Sequence, residues 1–247
     1  MPGAKPQLAP LCLFVRMKTD HLARELEDGL RDLGLPLSGQ QQSQLLAYLD
    51  LIQKWNRVYN LTSVRAPEEM LTHHLLDSLA VINPLRHQLS GRNPVAGRGF
   101  CLLDVGSGAG LPGVVIAICC PDIEVSCVDA VAKKASFIQQ VAISLRLPNL
   151  KGLHARVESL GGGYDVVSSR AFASLADFTA WSSSALAPQG LWLAMKGHEP
   201  LEELAALPAD VKVFHVEHLQ VPGLAASRCI VWLAKGPNQA DCATRAS

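Results

Sequence analysis

Between a short apolar run and an apolar helical segment lies Asp104-Val-Gly-Ser-Gly-Ala-Gly-Leu-Pro-Gly113, followed directly by Val114-Val-Ile-Ala-Ile118. A strand that turns through glycines straight into a helix is the opening unit of a doubly wound α/β sheet. The glycines let the backbone turn tightly and approach a ligand with no Cβ in the way, and the following helix offers free N–H groups. Their spacing reads two ways: Gly106, Gly108 and Gly110 fit G-x-G-x-G, whereas Gly108, Gly110 and Gly113 fit G-x-G-x-x-G. Asp104 and Pro112 tip the balance away from a dinucleotide. A carboxylate two residues ahead of the first glycine suits the cationic amino and sulfonium groups of S-adenosylmethionine and is unwelcome beside a pyrophosphate. Pro112 removes a helix N-terminal amide that phosphates use. Asp129 ends the next apolar run, about twenty residues on, where a carboxylate accepts the ribose hydroxyls of either ligand. Each acid also has a plainer reading, Asp104 as a turn cap and Asp129 as the cap of the helix that starts over 130–134.

Around this turn the pattern predicts strands near 100–105, 124–129, 151–154, 164–169, 191–196, 211–220 and 228–235. Helix-length segments separate the first five, so these pair in parallel through right-handed crossovers. Only Val221-Pro-Gly-Leu-Ala225 joins the last two, which makes them an antiparallel edge hairpin. Before the first strand, Leu22, Leu26, Leu30 and Leu33 recur at helical spacing until Gly34 and Pro36. Ser38 caps a second helix with Leu45, Leu49 and Ile52, and Pro67 opens a third that carries Leu71, Leu75 and Leu79. The expected organisation is therefore a structureless leader over 1–17, a helical extension over 18–90 packed on the core, a Rossmann-like domain over 91–236 and a polar tail over 237–247. Met17 precedes a better helix start than Met1 does, so it is a second candidate for the first residue.

Twenty-two basic side chains balance twenty-two acidic ones, which excludes a global field that draws the chain onto nucleic acid or a membrane. Any basic surface has to be local. The seven cysteines contain no C-x-x-C pair and mostly lie in apolar runs, as reduced, buried thiols of a cytoplasmic protein do. His73 and His74 stand near Asp77, but no third ligand accompanies them, so no metal site is expected. Ser168 and Ser169 lack the glycine elbow of a nucleophilic serine and are read as packing hydroxyls.

Asn60-Leu-Thr62, His74-Leu-Leu-Asp-Ser78, Asp104 to Gly113, Arg156-Val-Glu158, Ser169-Arg-Ala-Phe-Ala-Ser174, Met195-Lys-Gly197, Leu219-Gln-Val-Pro-Gly223 and Arg228 follow one another along the chain. In that order they closely resemble the bacterial small-subunit ribosomal RNA guanine-N7 methyltransferases, the glucose-inhibited division protein B family. The resemblance spans roughly Leu45 to Lys235. It implies a seven-stranded, Rossmann-like S-adenosylmethionine methyltransferase sheet with a terminal antiparallel hairpin. It also implies that Gly106 and Leu111 line the cofactor pocket, that Val157 and Glu158 lie beside the adenine, and that Arg170 helps to hold cofactor or target. The implied reaction is methyl transfer to guanine N7 in the 530 loop of 16S ribosomal RNA, within the small subunit or an assembly intermediate, by a monomeric cytoplasmic enzyme.

Independently of the resemblance, Arg170 and Lys196 end predicted strands, and ligands of such sheets bind at the strands' carboxyl ends. They are the positioning candidates, with a helix salt bridge as the plainer reading of Arg170 and a solvated strand end that of Lys196. Guanine N7 carries a lone pair and no hydrogen, so no dedicated catalytic residue is expected and rate enhancement falls to alignment. Lys54, Arg57, Asn60 and Arg65, interleaved with Trp55 and Tyr59, form a candidate RNA lip together with Lys196. The i, i+4 spacing of the two rings equally suits packing onto the domain. Lys133, Lys134, Arg146, Lys151 and Arg156 extend the basic edge. Two other classes remain open at this level: a nicotinamide-dependent oxidoreductase, and a ribosome-assembly factor without turnover.

Overall fold

The computed structural model describes the backbone of residues 9–94 and 99–236, and side chains from Asp20 onward. Helix α1 (Ala9–Asp32) and α2 (Gly39–Tyr59) form the extension. At α2 the Ser38 hydroxyl accepts the Gln41 amide at 3.3 Å while the Gln41 side chain accepts the Ser38 amide at 3.0 Å, a reciprocal cap. The single third helix expected from Pro67 is instead divided. A short α3 (Pro67–Met70) widens into a π-helix (Leu71–Leu76), resumes as α4 (Asp77–Leu79), and after a turn continues as α5 (Ile82–Leu89).

The leader is the one boundary corrected here. Helix α1 begins at Ala9, within the stretch read as structureless: Pro10 occupies the first turn, where a missing N–H costs nothing, and no further proline follows before the helix ends at Asp32. Residues 1–8 and the tail from 237 lie outside the described residues, as do 95–98 within the expected boundary segment.

Seven strands make one sheet: β1 (Cys101–Val105), β2 (Glu124–Asp129), β3 (Leu150–His154), β4 (Tyr164–Arg170), β5 (Leu186–Lys196), β6 (Val211–Leu219) and β7 (Arg228–Lys235). Their order is β3-β2-β1-β4-β5-β7-β6, with β7 antiparallel to both neighbours and the remaining pairs parallel. The crossovers run through α6 (Gly113–Cys119), α7 (Ala132–Ser144), a 3₁₀ turn (Val157–Ser159) and α8 (Leu175–Ser182), and α9 (Leu201–Ala205) precedes the hairpin. The chain winds outward from β1 to β3, then returns to place β4 on the other side of β1. The resulting reversal leaves a crevice at the carboxyl ends of β1 and β4, where ligands of open α/β sheets bind.

Strand periodicity explains how both faces are covered. Leu102, Leu191, Leu193, Ile230 and Trp232 join one core with α1, α2, α6 and α7, while Leu103, Trp192, Ala194, Val231 and Leu233 join a second core with α8. Successive residues point to opposite faces, and each face needs its own apolar set. Cys119, Cys120, Cys127 and Cys229 are buried free thiols, as read from their apolar surroundings. Among the described residues, no helix is long and apolar enough to cross a membrane.

Candidate active site

Two cavities open at the crevice and share Gly106 and Ala171 as a common wall. The first, about 410 Å³, is enclosed by the glycine loop, the turn after α2, the π-helix, the ends of β4 and β5 and the start of β7. The second, about 490 Å³, lies over the ends of β1 and β2 and takes in Asp129, Val157, Glu158 and Trp181. Gly106 (φ +62°) has no room for a side chain, since an added Cβ would strike the Phe172 ring. Gly108 and Gly110 also have positive φ, as the tight turn requires.

Asp129, expected at the ribose or as a helix cap, is turned toward the glycine loop. One carboxylate oxygen accepts the Gly108 amide at 3.1 Å and the other the Val131 amide at 2.8 Å, so it braces the glycine loop and starts the next segment while lining the second cavity. The helix-cap reading does not hold, since α7 starts at Ala132 with Val131 before it and no side-chain cap; Asp129 closes the turn ahead of that helix and lines the second cavity. Lys134 stands 3.6 Å away.

Asp104 differs from expectation. It does not face either cavity but is fully buried beneath the loop, where it accepts the Gly113 amide at 3.1 Å and the Ser168 hydroxyl at 2.8 Å. Its parity in β1 matches that of Leu102, which faces the layer holding α6, so the carboxylate meets that helix's first amide. Burial pushes its pKa up to about 7, against the opposing pull of Ser168, Gly113 and Arg170. The helix that a phosphate would use thus already has its own carboxylate, and Pro112 before it has no N–H. A dinucleotide is disfavoured at this turn for both reasons.

Arg170 forms the helix salt bridge that was its plainer reading while still lining the first cavity. Its Nη1 donates to the Asp77 carboxylate at 2.9 Å and to the His73 carbonyl at 3.0 Å. The other Asp77 oxygen accepts Arg228 Nε at 2.8 Å. Asp77 and Arg228 were not singled out as site residues. They lie 151 positions apart and no local pattern joins them, although each sits in a block that carries the family resemblance. His74, also on the cavity wall, pairs with the Thr62 hydroxyl at 2.8 Å, and burial with the nearby Arg170 charge lowers its pKa to about 4, leaving it neutral. Lys196 lines the cavity too, but its ammonium is held by Glu203 at 2.7 Å and by the Ala173 carbonyl at 3.1 Å. Its contribution as a free RNA-binding cation is therefore reduced.

Along the expected lip, Lys54, Arg57, Asn60 and Arg65 are all exposed. Trp55 takes the packing role, its ring 5.3 Å from Phe137 of α7, whereas Tyr59 is 42% exposed with the Lys133 ammonium 5.3 Å from its ring centre. Among the described residues no cluster of three metal-ligating side chains occurs.

A family model described as rRNA small subunit methyltransferase G (GidB) matches residues 41–231. The chain belongs to that family. Membership makes it an S-adenosylmethionine-dependent methyltransferase of ribosomal RNA, and the oxidoreductase alternative falls with it. A protein named ribosomal RNA small subunit methyltransferase G from Albidiferax ferrireducens is 69% identical over 216 residues, covering 86% of this chain and 96% of the relative. One of the same name from an Acidovorax species is 67% identical over 210 residues, covering 84% and 93%. Among solved structures, a coclaurine N-methyltransferase bound to N-methylheliamine and SAH aligns with a TM-score of 0.51 at 11% identity, over 88% of this chain and 94% of that one. That similarity concerns the fold.

Proposed function

We propose that this member of the family methylates N7 of a guanine in the 530 loop of 16S ribosomal RNA, acting as a cytoplasmic monomer on the small subunit or an assembly intermediate. The observation that carries the reading is the pair of cavities joined at Gly106, at the topological switch between β1 and β4. The second cavity suits an adenosine, with Asp129 toward the ribose and Val157 and Glu158 beside the base. The first takes the methionine end, against Gly106 and Leu111, and leaves room on its far side for a purine.

When bound, S-adenosylmethionine supplies a sulfonium methyl group, which the N7 lone pair accepts as the carbon–sulfur bond breaks, its electrons remaining on sulfur. No proton has to leave N7, so the residues of this chain are needed to orient and to exclude water rather than to act as a base. Arg170 and Arg228, fixed by Asp77, give the cavity wall a net positive charge that suits an RNA target. Alignment of this kind is worth roughly 7 to 11 kcal/mol of barrier. Lys54, Arg57, Asn60 and Arg65, with Tyr59 as a stacking ring, supply contacts to the flanking strand.

The test is transfer of labelled methyl groups to purified small subunits, with the modified base mapped and Asp129→Ala as control. Labelled N7-methylguanine with the unmodified enzyme, and a large loss in the variant, is expected. Transfer to another base or another atom overturns the N7 reading, and equal transfer to protein-free RNA overturns the particle as substrate.

A further inference from the structure

Arg228 stands across the first cavity from the glycine loop. It begins β7, three strand positions from β1, which at the spacing of neighbouring strands is roughly 14 Å. A methyl donor seated on the loop and a purine ring next to it fill that span. Three cations line the cavity, and their bonds set them apart. The Lys196 ammonium is taken up by both Glu203 oxygens and the Ala173 carbonyl. Arg170 ends β4, directly beside β1, and therefore lies on the loop's side. Arg228 has Nε on Asp77 at 2.8 Å and Nη1 on the Ser227 carbonyl at 2.8 Å, while Nη2 has no partner among the described residues.

We propose that Arg228 is the residue that selects guanine, its Nη2 amine donating to the O6 oxygen of the target base. This rests on the N7 reading above. With N7 directed at the methyl donor, O6 lies on the same edge of the purine, one position on toward the opposite wall. A guanidinium only donates. It matches the O6 acceptor, and it meets the amine of adenine donor to donor, so adenine is rejected by the same contact. Asp77 makes the contact directional. Its carboxylate is nearly buried and held from the other side by Arg170, so Arg228 is fixed in the wall before the base arrives.

The experiment compares kcat/KM for methyl transfer to small subunits rebuilt with guanine or with 2-aminopurine at the target position. The analogue keeps N7 and the 2-amino group and lacks O6. The enzyme is expected to prefer guanine by roughly ten- to hundredfold. In Arg228→Met the ratio falls toward one, because the loss is confined to guanine, and Arg228→Lys, which restores a donor, recovers part of it. Unchanged affinity for S-adenosylmethionine verifies that the variants are folded. A variant that slows both substrates alike and keeps the ratio overturns the assignment, as does an enzyme that never distinguished them. No transfer to the guanine particle at all overturns the N7 reading itself and this proposal with it.

Discussion

A carboxylate buried without a cation on it is destabilising in its charged form, and Asp104 lets that cost be measured. Its folded pKa is about 7 against an ordinary 3.8, with burial as the main cause. Below 3.8 it is protonated in both folded and unfolded chains and costs nothing. As pH rises toward 7 the unfolded chain ionises first, so stability falls, and above 7 the loss levels off at about 4 kcal/mol. His74 works in the opposite sense: its pKa is lowered to about 4, so its contribution is present above 6.5 and fades as pH falls toward 4. The raw pH curve mixes the two, and a variant separates them. Asp104→Asn keeps an acceptor for the Gly113 amide and a donor for Ser168, so it is expected to fold and to lose the Asp104 component. Urea unfolding between pH 4 and 7 checks this. If the difference between variant and parent stays flat with pH, the carboxylate is not the buried acid described here. The sequence made the residue conspicuous and mistook its direction. Parity along β1 was available to show which face Asp104 shares with Leu102, but not that the first amide of α6 lies there.

At the scale of elements, the glycine loop is held from both sides, by Asp129 from β2 and by α2 from the extension. Tyr48 on α2 is fully buried, and its hydroxyl donates to the Ala109 carbonyl in the loop. Tyr48→Phe removes one hydrogen bond and leaves a buried carbonyl unpaired, at a cost of about 1 kcal/mol or somewhat more. Because that carbonyl belongs to the ligand-facing turn, S-adenosylmethionine affinity is expected to weaken several-fold, measured by calorimetry, alongside the shift in urea midpoint. A stability loss with unchanged affinity would show that α2 supports the fold without shaping the loop. Strands were legible because alternation and apolar runs are local properties, and the hairpin because Val221 to Ala225 is too short for a crossover. The π-helix was not. Its widened turn places His73, His74 and Asp77 on the cavity, and nothing in the spacing of Leu71, Leu75 and Leu79 distinguishes it from an ordinary helix. Asp77 and Arg228 escaped for a similar reason, since only the packing of α4 against the start of β7 brings residues 151 positions apart into contact.

For the molecule as a whole, the sequence reads as a helical extension packed on a catalytic domain, and the packing joins the two in one core. Leu26, Leu30, Leu45, Tyr48, Leu49 and Ile52 belong to the same core as Val114, Ile116, Phe137, Ile138 and Val141. The extension therefore packs over α6 and α7, which themselves lie on the sheet, and buries the outward apolar surface of that layer. A fully buried leucine or isoleucine contributes roughly 1.5 to 3 kcal/mol, so losing several such contacts at once exceeds the whole stability of a typical domain, about 5 to 15 kcal/mol. The expected behaviour of the full chain is one cooperative transition in urea, with circular dichroism and loss of S-adenosylmethionine binding falling at the same midpoint. A chain that starts at Gly99 keeps all seven strands and the complete glycine loop, yet is expected to be insoluble or molten because its larger core is stripped of its cover. Two resolved transitions in the full chain, or a folded, cofactor-binding fragment from Gly99, would show that the extension is an independent attachment. The single transition would instead mean that the wall presenting Thr62, His74 and Asp77 to the target is as rigid as the sheet, and that RNA meets a site formed before it arrives.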